Sequence, residues 1–287
     1  MNSGGMEIVM AKNTITLGSI HEFCLELSYH NPHAFPPEKE PLSHIHTQCE
    51  IYFNLSGDVS FMVEGHTYPI SSGNVIISRP LEYHHCIYHN TLEHEHFCLL
   101  FSCAGNEDIL DLFFHREKGQ NNLIVLSKDK AHALKKHFEA LLAAKKSDSA
   151  DSYYHFFCIL NILKHNSASD KENTAKTLPH PLQTVLAMID ERYAEPITVS
   201  MLAAAIFVSV NTLERYFKRY LLMSPSEYIK IRRLTVAVTL LQSRTPISSV
   251  ALQCGFSDTS SFIAAFKRYF GTTPYQYMKN NVSNAEE

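Results

Sequence analysis

The stretch Ser209-Val210-Asn211-Thr212-Leu213-Glu214-Arg215-Tyr216-Phe217-Lys218-Arg219-Tyr220 returns in altered form 49 residues later. The second copy is Asp258-Thr259-Ser260-Ser261-Phe262-Ile263-Ala264-Ala265-Phe266-Lys267-Arg268-Tyr269. Ser224-Pro225 and Tyr228 answer to Thr273-Pro274 and Tyr277 at the same offset. Upstream, Leu202-Ala203 matches Val250-Ala251 at an offset of 48, which puts one extra residue in the second turn, read as Gly255. A repeat at fixed spacing is one supersecondary unit used twice. Each copy reads as helix, short turn, helix. Ser209 and Asp258 are natural N-caps, because their side-chain oxygens can accept a free backbone N–H of the helix that follows. Leu213, Phe217 and Tyr220, and in the second copy Phe262, Phe266 and Tyr269, share one face at helical spacing and are the expected buried sides.

The opposite faces carry Asn211, Glu214, Arg215 and Lys218, then Ser260, Ile263, Ala264 and Lys267. A helix that is apolar behind and polar and basic in front suits the major groove, which is about 12 Å wide. Asn and Arg can pair with base edges through two hydrogen bonds, and Lys neutralises phosphate. The expected DNA contacts are Ser209, Asn211, Thr212, Arg215, Lys218 and Arg219 in the first unit. In the second they are Asp258, Thr259, Ser260, Ile263, Lys267 and Arg268. Two such helices can enter successive grooves about 34 Å apart.

Charge divides the chain in the same sense. The net charge of −4 over 287 residues conceals 11 Lys+Arg against 6 Asp+Glu in residues 181–281. Residues 1–180 are acidic and hold all 17 histidines. A basic, histidine-free part after an acidic, histidine-rich one suggests two modules with different partners. A composition of 45% hydrophobic and 19% charged residues is globular. The most apolar run, 201–210, is about half of what spans a bilayer, so no membrane partner is expected. The N-terminus shows no charged-then-apolar start with a cleavage site. The seven cysteines are scattered without a Cys-x-x-Cys pair, which reads as reduced thiols and a cytoplasmic location.

The stretch from Leu202-Ala203 through Ser209, Leu213, Arg215, Phe217-Lys218, Ser224-Pro225, Tyr228, Arg233-Leu234, Ala237, Leu240-Leu241, Ile247 and Val250-Ala251 to Gly255-Phe256-Ser257-Asp258, Phe262, Phe266-Lys267, Gly271-Thr272-Thr273-Pro274 and Tyr277 resembles the C-terminal domain of AraC/XylS-type bacterial transcription regulators. The match covers about 181–279. The resemblance implies two helix-turn-helix units joined by a long helix at about 226–242. It also implies promoter DNA and RNA polymerase as partners, and usually activation. The chain departs from the pattern at Leu222, where a glycine is usual before Ser-Pro, at Ser261 and Ala264, where Tyr and Arg are usual, and at Met278. The loss of that arginine leads us to expect more base reading from the first unit, and more phosphate contact from the second.

The first part reads as β structure. Phe23, Leu25, Leu27 and Tyr29 alternate, as do Val59, Phe61 and Val63, and turn signals at Ser56-Gly57-Asp58, Glu64-Gly65 and Ser72-Gly73-Asn74 bound strands over 51–55 and 75–78. A small barrel or sandwich is expected. Helical spacing follows around 109–113, 133–142 and 153–163, for helices that pack on the barrel or pair with a second subunit. The expected organisation is a multidomain β + α chain. A cupin-like ligand-sensing barrel occupies 1–105 and a helical, dimerising region 106–165. A flexible linker follows at 166–180, then an all-α DNA-binding domain at 181–281.

Within the barrel, His44 and His46 share a strand face, and Glu50 has their parity. The spacing His-x-His-x3-Glu-x6-Gly resembles the first cupin motif, and Gly73 followed by His84 resembles the second. The four ligand positions of that motif are then His44, His46, Glu50 and His84. The glycine expected before His44 is Glu38, and the proline and glycine expected before His84 fall on Arg79 and Leu81. Imidazole with carboxylate suits a divalent transition metal. The same side chains, with Tyr52 or Phe53 as an apolar wall, would equally hydrogen-bond a small organic effector such as a sugar. Satisfied core histidines are a third reading. Most of His85, His89, His94 and His96 are assigned to surface or core polar roles, and Cys49 to the opposite face as a buried thiol.

Three functions from different classes stay open. One is a homodimeric regulator, most simply an activator, responding to a small effector with carbohydrate as the default class. Another is a metal-responsive regulator or metal-dependent cupin enzyme fused to a DNA-binding domain. The third is a DNA-binding protein whose barrel only dimerises.

Overall fold

Along the strand Cys49–Ser56, Ile51 and Phe53 point one way and Glu50, Tyr52 and Asn54 the other, and this parity organises the first half of the chain. The computed structural model describes residues 13–20, 23–30, 46–89, 94–103, 110–144, 149–166 and 176–283. Its strands are β1 (Asn13–Ile20), β2 (Phe23–His30), β3 (Cys49–Ser56), β4 (Val59–Val63), β5 (His66–Ile70), β6 (Val75–Ser78), β7 (His84–Tyr88), β8 (Glu95–Cys103), β9 (Leu123–Ile124) and β10 (Lys176–Thr177). They form a six-stranded sheet in the order β1-β2-β8-β3-β6-β9 and a four-stranded sheet in the order β10-β5-β4-β7. Every pairing is antiparallel.

Three helices follow the barrel strands: α1 (Asp111–Phe114), α2 (Lys128–Ala143) and α3 (Ser149–Lys164). Leu134, Phe138 and Leu141 of α2 and Phe156, Ile159 and Leu163 of α3 bury against Ile51, Phe53, Phe97 and Phe101 on the outer face of the large sheet. The helix pair therefore packs on the barrel with its apolar face. Tyr154 and Phe157 stay exposed at 62% and 40%. On the inner face, Tyr52, Val59, Phe61, Val63, Tyr68, Ile70 and Ile76 form a second core between the sheets. The large sheet is thus covered on both sides, which is why β3 is buried over Cys49–Asn54.

Of the expected linker 166–180, residues 167–175 lie outside the described residues. Lys176 and Thr177 pair with Thr67 and His66, so β10 extends the small sheet. The two residues lack apolar character but complete the backbone hydrogen bonds of an edge strand.

The remainder is helical: α4 (His180–Arg192), α5 (Val199–Ala205), α6 (Val210–Tyr220), α7 (Pro225–Gln242), α8 (Ile247–Gln253), α9 (Thr259–Phe270) and α10 (Pro274–Ser283). The helix α7 serves both units. Tyr228, Ile229 and Ile231 pack with Leu202, Leu213 and Phe217, while Leu234, Val238 and Leu241 pack with Val250, Phe262 and Phe266. Tyr220 and Tyr269 are only partly buried, at the rims of these cores. Phe207 and Gly255 are both left-handed, at φ 57° and 75°. Val208 N–H donates to Ala203 O, as Phe256 N–H does to Ala251 O. Gly255 therefore matches Phe207, and the inserted residue is Ser257, not Gly255 as the spacing had suggested. No helix among the described residues is long and apolar enough to cross a membrane.

The β and α domains share a core. Met62 and Tyr83 lie in one cluster with Leu182, Val185, Phe217, Leu221 and Tyr228. Arg232 of α7 pairs with Asp190 at 2.6 Å and reaches Glu64 of the β4–β5 turn at 3.5 Å. Burial pushes the Glu64 carboxyl up, against the opposing pull of Arg232 and Lys118.

Candidate functional site

The helices α6 and α9 are built alike. Ser209 Oγ accepts the Thr212 N–H at 3.1 Å and Asp258 Oδ1 accepts the Ser261 N–H at 2.7 Å, so each side chain closes one free donor of its helix. Hydrogen bonds from the Ser261 side chain and backbone hold the Asp258 carboxyl below its usual range. Leu213, Phe217, Phe262 and Phe266 are buried, which leaves Asn211, Arg215, Lys218, Arg219, Ser260, Lys267 and Arg268 exposed. Arg219 lies over the Tyr220 ring at 5.3 Å. Thr212 is half-buried with its hydroxyl 2.9 Å from Ser209 Oγ, and Thr259 is also half-buried. Ile263 is half-buried against the second core, so only part of it faces outward.

Inside the barrel, β3 and β7 bring Glu50 and His84 together from positions 34 residues apart. Glu50 Oε2 lies 3.0 Å from His46 Nε2 and 3.2 Å from His84 Nε2. The other ring nitrogens are committed. His46 Nδ1 donates to Gln48 O at 2.9 Å and His84 Nδ1 donates to Glu82 O at 2.7 Å. A carbonyl oxygen only accepts, so both Nδ1 atoms carry hydrogen, and each Nε2 faces the Glu50 carboxylate. Each Nε2 either carries a proton and donates to the carboxylate, as an imidazolium does, or presents a lone pair beside it that a bound cation can take up. Burial pushes His84 down, but the Glu50 carboxylate and its hydrogen bond outweigh this and raise its pKa.

The donor set fits a divalent transition metal. Nδ1–H bonded to backbone carbonyl, with Nε2 presented inward, is the usual way a protein orients a histidine ligand. The three ligand atoms lie within 4.8 Å of one another. His44, the fourth candidate, lies outside the described residues.

Beyond this cluster the inner face continues through aromatic rings. Phe61 stacks on His84 at 5.9 Å and packs on Tyr52 at 4.9 Å, and Tyr52 stacks on His96 at 4.4 Å. His96 in turn stacks on His30 at 4.3 Å and on His94 at 5.3 Å. Burial pushes the Tyr52 hydroxyl well up and lowers His94. Neither ring nitrogen of His94 has a hydrogen-bond partner among the described residues, although the residue is buried. The interior is thus polar at both ends of an aromatic strip.

Residues 24–155 match the AraC-like ligand binding domain, and residues 202–280 match a helix-turn-helix domain. The HTH-type transcriptional activator RhaS of Escherichia coli is 24% identical over 256 residues, covering 83% of this chain and 87% of its own. The chain belongs to the AraC-type regulators. The HTH-type transcriptional regulator GbdR of Pseudomonas aeruginosa is 38% identical over 94 residues, 32% of this chain. An AraC-type DNA-binding protein of known structure from Chromobacterium violaceum is 31% identical, covers 35% of this chain and 91% of its own, and has a TM-score of 0.34. The first curated relatives are matched over only 26% to 42% of their own length.

As an AraC-type chain, it shows which site residues sequence could reach. His46, Glu50, His84 and Tyr52 come together on the inner face. His94 and His96, assigned to surface or core roles, belong to the same face, and His30 joins them. His94 and His96 share parity, but only the register His30↔His96 brings β2 into the group, and no local pattern encodes that register.

Proposed function

We propose that this protein is a transcription regulator that binds double-stranded promoter DNA through α6 and α9 and answers to an effector held in the barrel. The observation that carries the proposal is the doubled unit itself. Two capped helices, each apolar behind and exposed in front, hang from the single helix α7. Asn211 and Arg215 would read bases in the first unit. Lys218, Arg219, Lys267 and Arg268 would neutralise phosphates, and the helix N-termini, with Ser209, Thr212, Thr259 and Ser260, would lie against the backbone. Asp258 would serve the interface as the cap that orders the start of α9. Ile263 would add an apolar edge contact.

Arg215→Ala is expected to weaken binding to the specific site by about 1–3 kcal/mol and relax preference at one base pair. Lys267→Ala should weaken binding on all sequences and flatten the salt dependence. Equal loss on specific and random duplex for Arg215→Ala would remove base reading from that residue.

For the effector, the inner face supports two chemistries. The resemblance favours a carbohydrate, for which the polar ends and the Tyr52–Phe61 strip supply hydrogen bonds and an apolar wall. The committed Nδ1 atoms favour a divalent transition metal held by His46, Glu50 and His84, with His44 as a further ligand position. Bound there, the metal would replace the proton shared between Glu50 and the two histidine Nε2 atoms and supply the positive charge in its place. A thermal-shift screen of the whole protein separates the two, because whatever binds only the folded state raises its melting temperature. A rise with Zn2+ that a chelator reverses and Glu50→Gln abolishes supports the metal. A rise with a sugar that persists in chelator supports the carbohydrate.

The name of RhaS, a transcriptional activator, supports activation here, and an activator would have RNA polymerase as its partner. We assign a homodimer, a cytoplasmic location and no catalytic role. The domain limits 1–105, 106–165, 166–180 and 181–281 belong to the same proposal.

A further inference from the structure

We propose that Tyr83 is a positioning residue for the first DNA-facing helix, and that residues 82–84 carry the state of the barrel pocket to the end of α6. This rests on the pocket reading above. Three consecutive residues, all 0% exposed, hold three different parts of the molecule. The Glu82 carboxylate accepts from Arg116, the Gly119 N–H and Asn122 Nδ2. The Tyr83 hydroxyl donates to Leu221 O at 2.9 Å, across 138 residues of sequence, and its ring meets Tyr228 edge-on at 5.8 Å. His84 turns to the opposite side, onto Glu50.

The backbone at this point is fixed as well. Tyr83 N–H donates to Glu64 Oε1 at 3.0 Å, and Glu64 N–H donates back to Tyr83 O at 2.9 Å. Glu64 also faces Arg232 of α7. A segment tied on both sides moves as a unit, so a ligand that draws on His84 shifts the Tyr83 hydroxyl.

What that hydroxyl holds is a strained joint. Leu221 is the C-cap of α6, and the next residue, Leu222, is left-handed at φ 57°. The second unit has Gly271 at its corresponding corner, at φ 73°, where no side chain opposes the conformation. The first corner is thus formed by a residue that resists it and is gripped by a hydrogen bond from the other domain. Two arrangements follow, one gripped and one relaxed, and α6 leaves that corner at a different angle in each. Pocket occupancy biases the choice, and with it the fit of α6 to DNA.

Amide hydrogen exchange on the whole protein tests this. Tyr83→Phe removes one oxygen and Glu50→Gln removes the pocket charge, both without change of shape. Each is expected to speed exchange at 217–223 about 3–10-fold, the worth of one hydrogen bond. Exchange at 266–271, the matching corner of α9, should stay within about twofold. The double variant should be no faster at 217–223 than the faster single. His46→Gln, in a partly exposed residue, serves as the second pocket variant if Glu50→Gln does not fold. Unchanged exchange at 217–223 in a folded pocket variant overturns the coupling, and so does equal acceleration at both corners. Failure of wild type to bind duplex DNA would instead refute the regulator reading, independently of the exchange result.

Discussion

Arg116→Ala is expected to lower the stability of the β domain by about 3–5 kcal/mol, the usual loss when one member of a buried ion pair is removed. Arg116 Nη2 lies 2.6 Å from Glu82 Oε2, and the two side chains are 4% and 0% exposed. The truncation leaves a carboxylate in the protein interior with, among the described residues, the Gly119 and Arg79 N–H groups and Asn122 Nδ2 to satisfy it. In the intact protein, burial pushes Glu82 up, but the Arg116 hydrogen bond and charge outweigh it and hold the carboxyl below its usual range. A carboxyl lowered on folding contributes stability above its unfolded pKa of about 4.3, and loses it as pH falls through the folded value. Wild type should therefore weaken on acidification, and the deficit of Arg116→Ala should shrink toward pH 4 as the orphaned carboxyl takes up a proton. Urea unfolding at pH 7 and pH 4 reads both quantities. A deficit below about 1 kcal/mol at pH 7 would place the pair in the class of weak surface bridges.

Gly255→Ala is expected to destabilise the second helix-turn-helix unit by about 2–5 kcal/mol. The left-handed conformation costs a residue with Cβ roughly 1–2 kcal/mol, and forced overpacking typically about 1–3 more. The site is closed to a methyl group, because an added Cβ would stand 2.6 Å from Ala194 O and 2.9 Å from its carbonyl carbon. That backbone is itself fixed, since Arg233 donates to the neighbouring carbonyls of Tyr193 and Glu195 at 2.7 and 2.8 Å. The matching position in the first unit shows the contrast. Phe207 is equally left-handed but 95% exposed, so only the conformational cost applies there. The substitution should lower the melting temperature and weaken DNA binding through loss of α9, whereas Phe207→Gly should stabilise slightly. A loss under about 1 kcal/mol for Gly255→Ala would mean that the Ala194 turn yields easily.

These two sites mark what local sequence does and does not carry. The helix-turn-helix repeat was legible because its signals are short-range. The caps Ser209 and Asp258 and the buried spacing of Leu213 and Phe217 lie within a few residues of what they control. The inserted residue was misplaced by two positions, because sequence spacing alone does not say which residue of a turn is left-handed. The parity of Glu50 and Tyr52 was legible for the same local reason. The Glu82–Arg116 pair and the Tyr83–Leu221 contact join residues 34 and 138 positions apart. Only the folded chain defines such pairs. The short strand β10 escaped notice because its partner, not its own composition, makes it a strand.

Selection of duplexes from a random pool by the whole protein, at one fixed salt concentration, tests the central claim most directly. Wild type should enrich two short conserved blocks whose centres lie about 10–10.5 base pairs apart, one for α6 and one for α9. Arg215→Ala should blur only the first block. A pool that shows no enrichment, or one block alone that neither Arg215→Ala nor Lys267→Ala alters, would contradict the assignment of these two helices to DNA.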